Sequence, residues 1–144
     1  MANVFDVAQY ILEQQGLITA MKLQKLVYYS QAWSLVWDEK PLFDEEIQAW
    51  ANGPVTPALY NEHRGLYNLT SISKGNSSAL NAEEIETINV VLGAYGDKSS
   101  QWLSDRTHSE MPWIEARKKA GSSDGDICHE PITQAMMMEY YSSL

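Results

Sequence analysis

The sequence predicts a mainly α-helical, single compact domain of six or seven helices with a small β-hairpin. Three observations predict it. Apolar residues recur at i, i+3, i+4 and i+7 in several separate segments, the spacing of one buried helix face. Those segments open on capping Asn or Thr, or on Pro, and several close on Gly. Only one short stretch, around residues 41–51, leaves this period for the pattern of strands. At 144 residues the chain has the size of one ordinary domain, so 1–144 is assigned as a single unit. Five Trp, eight Tyr and two Phe within a 44% hydrophobic composition offset the entropy of ordering the chain and exclude disorder as the default.

The first helix carries Val4, Val7, Ala8, Ile11 and Leu12 on one face, with Asn3 as its cap and Gly16 at its end. Thr19 caps a longer helix running to about Trp37. Its stripe of Leu23, Leu26, Val27, Ser30, Ser34 and Trp37 is widened by Tyr28, Tyr29 and Trp33. A girdle that broad marks a helix contacted on more than one side, the central one. Lys22 and Lys25 on this helix read as solvated lysines, with contact to an acidic partner as the alternative. Pro41-Leu42-Phe43 and Glu46-Ile47-Gln48-Ala49-Trp50-Ala51, joined across acidic residues, read as the hairpin, broken by Asn52-Gly53-Pro54-Val55. Thr56-Pro57 starts a helix over about 57–64. Residues 70–79 read as a mobile loop. Asn81 and Glu84 form a capping-box pattern for a helix to about Tyr95, stopped by Gly96. Short helices are expected at 100–104 and 112–119, then a polar turn at 121–125 and a last helix opened by Pro131. In that last helix Ile132, Ala135, Met136 and Tyr140 make one stripe, with Met137, Met138 and Tyr141 off it.

Charge narrows the partners. Ten Lys and Arg against nineteen Asp and Glu give a net charge of −9, with no basic arm or stripe, so direct nucleic-acid binding is not expected. No apolar run approaches membrane-spanning length, and the N-terminus lacks the pattern of a secretory signal. The single Cys128 excludes an intramolecular disulfide and a Cys-rich zinc site. A cytoplasmic location is the resulting expectation.

Few residues form a catalytic constellation. His63, His108 and His129 lack the local spacing of a ligand pair, and no phosphate loop or nucleophile elbow occurs. Neither a cofactor nor a metal is expected. In Thr107-His108-Ser109-Glu110, His108 fits an acid–base role or a hydrogen-bonding hub, while Thr107 or Ser109 fits a cap for the helix that Pro112 opens. Three consecutive methionines, 136–138, supply either core or adaptable contact surface.

The string Met21-Lys22-Leu23-Gln24-Lys25-Leu26-Val27-Tyr28-Tyr29-Ser30-Gln31-Ala32-Trp33, with Pro41-Leu42-Phe43, Ile47-Gln48-Ala49-Trp50, Gly53-Pro54-Val55 and Tyr60, resembles the Panacea (SocA-like) antitoxin domain, a phage-associated family. The resemblance continues through Tyr95-Gly96, Leu103, Thr107-His108 and Pro112-Trp113, and covers roughly residues 5–142. It implies an antitoxin of a type II toxin–antitoxin system that neutralises its cognate toxin by direct protein–protein contact, without cofactor and not as an enzyme. A basic toxin suits the acidic charge. On this reading the candidate partner-binding residues are Trp50, Gly53, Pro54, Val55, Tyr60 and His108 around the turn, and Met137, Met138 and Tyr141 on the last helix. Two alternatives stand beside it: a phage or prophage adaptor or anti-defence protein binding a host factor such as a protease, and a small metal-dependent hydrolase using His108.

Overall fold

A computed structural model describes residues 2–144 and contains seven α-helices, one short 3-10 turn and two small sheets among them. Helix α1 (Val4–Gln15) opens on a complete capping box: Asn3 Oδ1 accepts from the Asp6 amide at 3.0 Å, and Asp6 Oδ2 accepts from the Asn3 amide at 3.0 Å. Gly16 ends it at φ 76°. Helix α2 (Ala20–Trp37) is capped by Thr19, whose Oγ1 accepts from the Lys22 amide at 3.1 Å. Thirteen of its eighteen residues are buried, so it is the central helix that its broad apolar girdle indicates. Helices α1, α4 (Ala82–Tyr95), α5 (Ser100–His108) and α7 (Gln134–Ser142) all pack against it. The Asn81/Glu84 capping box of α4 is formed, and Gly96 follows its last residue.

The hairpin differs from the expected one. Strand β2 (Ile47–Trp50) pairs antiparallel with β3 (Gly53–Val55), so the segment read as the break is itself the second strand. Gly53 at φ 120° makes the sharp return possible, and Pro54 is tolerated because β3 lies at the edge of the sheet. Leu42 and Phe43 are instead a buried loop held by one side chain: Gln31 Oε1 accepts from the Leu42 amide at 2.7 Å, and its Nε2 donates to the Phe43 carbonyl at 2.8 Å. Pro131 does not open the last helix. It lies in β5 (Pro131–Ile132), which pairs with β2, and Thr133 caps α7 by accepting from the Met136 amide at 3.1 Å.

Residues 70–79 are tied down rather than loose. Strand β4 (Asn68–Leu69) pairs with β1 (Ile18–Thr19), and the segment beyond it is fastened to α1. The Ile72 amide donates to Gln9 Oε1 and the Asn76 amide to Asp6 Oδ1, each at 2.8 Å. Lys74 pairs with Glu62 of α3 (Pro57–His63) at 3.0 Å. Helix α5 is longer than expected, and α6 (Met111–Lys119) follows with Glu110, not Thr107 or Ser109, at its N-cap.

Candidate functional site

The region around the Gly53-Pro54-Val55 strand is built on two neighbouring residues of α2. Lys25, expected as a solvated lysine, has no exposed surface, because a helix apolar on most sides carries it beneath the hairpin. Its Nζ donates to the Pro54 carbonyl at 3.2 Å. The hairpin lies directly on its aliphatic end: a Cβ at Gly53 would stand 2.4 Å from Lys25 Cε and 3.0 Å from Thr107 Oγ1. Close approach and positive φ both require glycine there. One residue earlier, Gln24 Oε1 accepts from the Thr56 amide at 2.9 Å, while Gln24 Nε2 lies 3.3 Å from the Thr56 carbonyl and 3.0 Å from His63 Nε2.

The other side of the hairpin is held through its backbone. Ser104 Oγ donates to the Asn52 carbonyl at 2.7 Å, and Trp113 Nε1 donates to the Trp50 carbonyl at 2.8 Å. His108 stacks on Trp113 with ring centroids 4.0 Å apart and 11° between planes. The guanidinium of Arg117 is buried and bonded only to carbonyls, reaching Ala49 at 3.0 Å and both Ser123 and Asp126 at 2.8 Å. It thereby joins β2 to the turn that precedes Cys128 and His129.

Between the hairpin, α3 and that turn lies a recess of about 360 Å³. Trp50 meets Tyr60 edge-on at 5.0 Å and His129 at 5.9 Å, and Tyr60 meets His63 at 5.4 Å. Gln24 and Val55 also line it, with buried Cys128 and the exposed Ile127 beyond. Burial brings the Lys25 ammonium down to about 7. Burial also lowers the pKa values of His63 and His108, and the nearby Lys25 charge acts in the same direction on each. Both shifts favour the neutral imidazole, and His108 Nε2 is buried without a hydrogen-bond partner among the described residues. No group of three or more His, Cys, Asp or Glu among the described residues is placed to hold a metal ion, which the hydrolase alternative would need. No helix among them is long and apolar enough to cross a membrane.

The candidate residues thus separate. Trp50, Gly53, Pro54, Val55, Tyr60 and His108 come together, but in two roles. Trp50 and Tyr60 are half-buried and present side chains to the recess. Gly53, Pro54 and Val55 are buried and shape it from beneath, and His108 supports it through Trp113. The last helix lies elsewhere. Met137 and Tyr141 are each 1% exposed, while of the expected stripe Met136 and Tyr140 are only half-buried, as is Met138, Ala135 is exposed, and Ile132 is buried in β5 rather than in α7. The inward face is rotated because Tyr141 closes a polar core. Its hydroxyl and that of Tyr29 each lie 2.7 Å from the same oxygen of buried Glu110, and Tyr28 lies 3.1 Å from Tyr141. Arg106 Nε stands 3.3 Å from the other Glu110 oxygen.

Sequence reasoning missed Gln24, Lys25, Ser104 and Arg117. For Lys25 a signal existed: it lies one turn from Met21 and one from Tyr29, inside the apolar girdle. Arg117, among Lys118 and Lys119, offered none.

The fold and the recess define a mainly helical protein with an aromatic-lined recess beside a hairpin buttressed from beneath by Gln24 and Lys25. A family model described as Antitoxin SocA-like, Panacea domain matches residues 23–114, and the chain belongs to that family. The match takes in Lys25, the hairpin, His108 and Trp113, and ends within α6. Neither the curated proteins nor the solved structures contain a match to this chain.

Proposed function

We propose that this chain is the antitoxin of a type II toxin–antitoxin system, acting in the cytoplasm by binding its cognate toxin directly. Membership of the SocA-like antitoxin family across residues 23–114 carries the reading. The chemistry of the surface supports it. A net charge of −9 favours encounter with a basic protein, and the half-exposed Trp50 and Tyr60 at the recess have the size and rigidity of contact anchors. Mechanistically, acidic residues set the rate of encounter, and the aromatic recess gives the complex its residence time. Gln24, Lys25 and Gly53 act indirectly, by fixing the hairpin that presents Trp50. Co-expression with the product of the adjacent gene tests the proposal. Relief of that product's toxicity, with a stoichiometric complex on co-purification, is the expected result. A harmless neighbour, or toxicity unrelieved by this chain, overturns it.

A further inference from the structure

Away from the hairpin, α6 and α7 form a groove of about 750 Å³. The two helices run antiparallel: Tyr141, near the end of α7, bonds Glu110 just before α6, and Lys119 at the end of α6 lies 3.7 Å from Glu130, just before α7. Each wall is one helical stripe, 111, 112, 115 and 119 on α6 and 136, 139, 140 and 143 on α7. Antiparallel packing sets Met111 and Pro112 against Tyr140 at one end and Met136 at the other. Glu115 and Glu139 fall midway, one on each wall. Both acids are exposed, and neither takes part in an ion pair among the described residues, whereas the charge of Lys119 is offset by Glu130. The groove is therefore apolar at the Met111, Pro112 and Tyr140 end, negative in the middle, and lined at the other end by Met136 beside Lys119, whose charge Glu130 faces.

From this arrangement we infer that the α6–α7 groove binds a basic amphipathic helical segment of the partner protein, with apolar side chains at its ends and Lys or Arg between Glu115 and Glu139. This deepens the antitoxin reading and rests on it, since it gives the toxin a second point of contact and a chemical character. Helix-in-groove recognition uses such spaced apolar anchors, and Met136 and Met111 provide adaptable walls. Phosphate-bearing partners are repelled by the same two acids, and a second copy of this acidic chain gains nothing from them.

An amphipathic helical peptide built only of Leu and Lys, fluorescently labelled, serves as the probe in anisotropy titrations with the full chain. The wild type is expected to bind it, more weakly as salt rises. Glu115→Gln/Glu139→Gln weakens binding about tenfold, and Met136→Ser weakens it with the circular dichroism spectrum unchanged. Glu86→Gln/Asp124→Asn removes the same charge outside the groove and leaves binding as it was. Absence of wild-type binding, or equal affinity in the groove variant, overturns the inference. So does a wild-type dimer that the groove variant abolishes, because the occupant is then a second copy. Toxin relief is read separately in the co-expression assay. Undiminished relief by the groove variant overturns the groove inference alone. Groove-dependent peptide binding without any relief by the wild type supports the groove chemistry and overturns the antitoxin reading.

Discussion

Lys25 Nζ donates to the carbonyl oxygen of Pro54 at 3.2 Å from a position with no solvent exposure, and burial alone brings its ammonium down to about 7. The unfolded chain holds that proton up to about 10.5. Below pH 7 both states are protonated, and the fold carries the whole penalty of a desolvated charge. Between 7 and 10.5 only the unfolded chain is protonated, so stability rises with pH, at up to about 1.4 kcal/mol per unit for this one group. Burial raises the pKa values of the Tyr28, Tyr29 and Tyr141 phenols, so above about pH 10 the unfolded chain loses protons that the fold retains, and stability falls again. Urea unfolding across this range is expected to show a maximum between about pH 9 and 10. Lys25→Met removes the rising limb and leaves the falling one. A flat wild-type profile from pH 7 to 9 refutes the assignment.

Gly53→Ala is expected to destabilise the protein by about 2–4 kcal/mol, combining a strained φ with overpacking against Lys25 Cε. Pairing it with Lys25→Ala, which deletes the opposing atom, should recover part of that loss in thermal unfolding. The strain at φ 120° stays. If the double variant loses the sum of both single effects, the two residues are not in steric contact.

Loss of the shared acceptor should outweigh loss of one donor. Glu110→Ala leaves the hydroxyls of Tyr29 and Tyr141 buried without their carboxylate and is expected to cost about 3–5 kcal/mol. Tyr141→Phe removes one hydroxyl and keeps the ring contacts with Tyr28, Tyr29 and Trp33, for about 1–2 kcal/mol. Chemical denaturation ranks the two, and a reversed order contradicts the network.

On the proposed function, Trp50→Ala and Tyr60→Ala are expected to weaken binding to the proposed toxin partner about tenfold or more each, measured by calorimetry on purified proteins. The β2–β3 ladder and the Trp113 bond engage backbone atoms of Trp50, so the fold survives its truncation. Unchanged affinity in both variants places the interface elsewhere.

Much of the helical frame was legible because it is written in local chemistry. Asn3, Thr19 and Asn81 bond amides three residues away, and the first two long helices bury the faces that their spacing marks, except that Trp37, expected on the α2 stripe, ends the helix exposed. What escaped detection depends on distant partners. The loop at 70–79 looks loose by composition, but Asp6, Gln9 and Glu62 fasten it from other helices. The hairpin was displaced because a Gly-Pro pair normally breaks a strand, whereas here an edge position and the flat approach to Lys25 favour it. At the site, Trp50, Tyr60 and the turn were legible from aromatic and Gly/Pro clustering. The underlying Gln24 was not, since a polar side chain on a helix gives no sign of the carbonyl it will meet, and Lys25 showed its burial only through its place inside the apolar girdle. The face of α7 was misjudged because every side of that helix offers an apolar residue, and a single buried carboxylate, Glu110, decides which side turns inward.

The bond between Tyr141 and Tyr28 spans 113 positions of the chain. During synthesis at about 5–20 residues per second, the tyrosines of the central helix therefore wait roughly 6–23 s for the residue that completes their surroundings. Until then the carboxylate of Glu110 has also not met its second phenol. The protein is thus born with its central helix made early and its polar core closed last, which makes the nascent chain the form most exposed to proteases and chaperones.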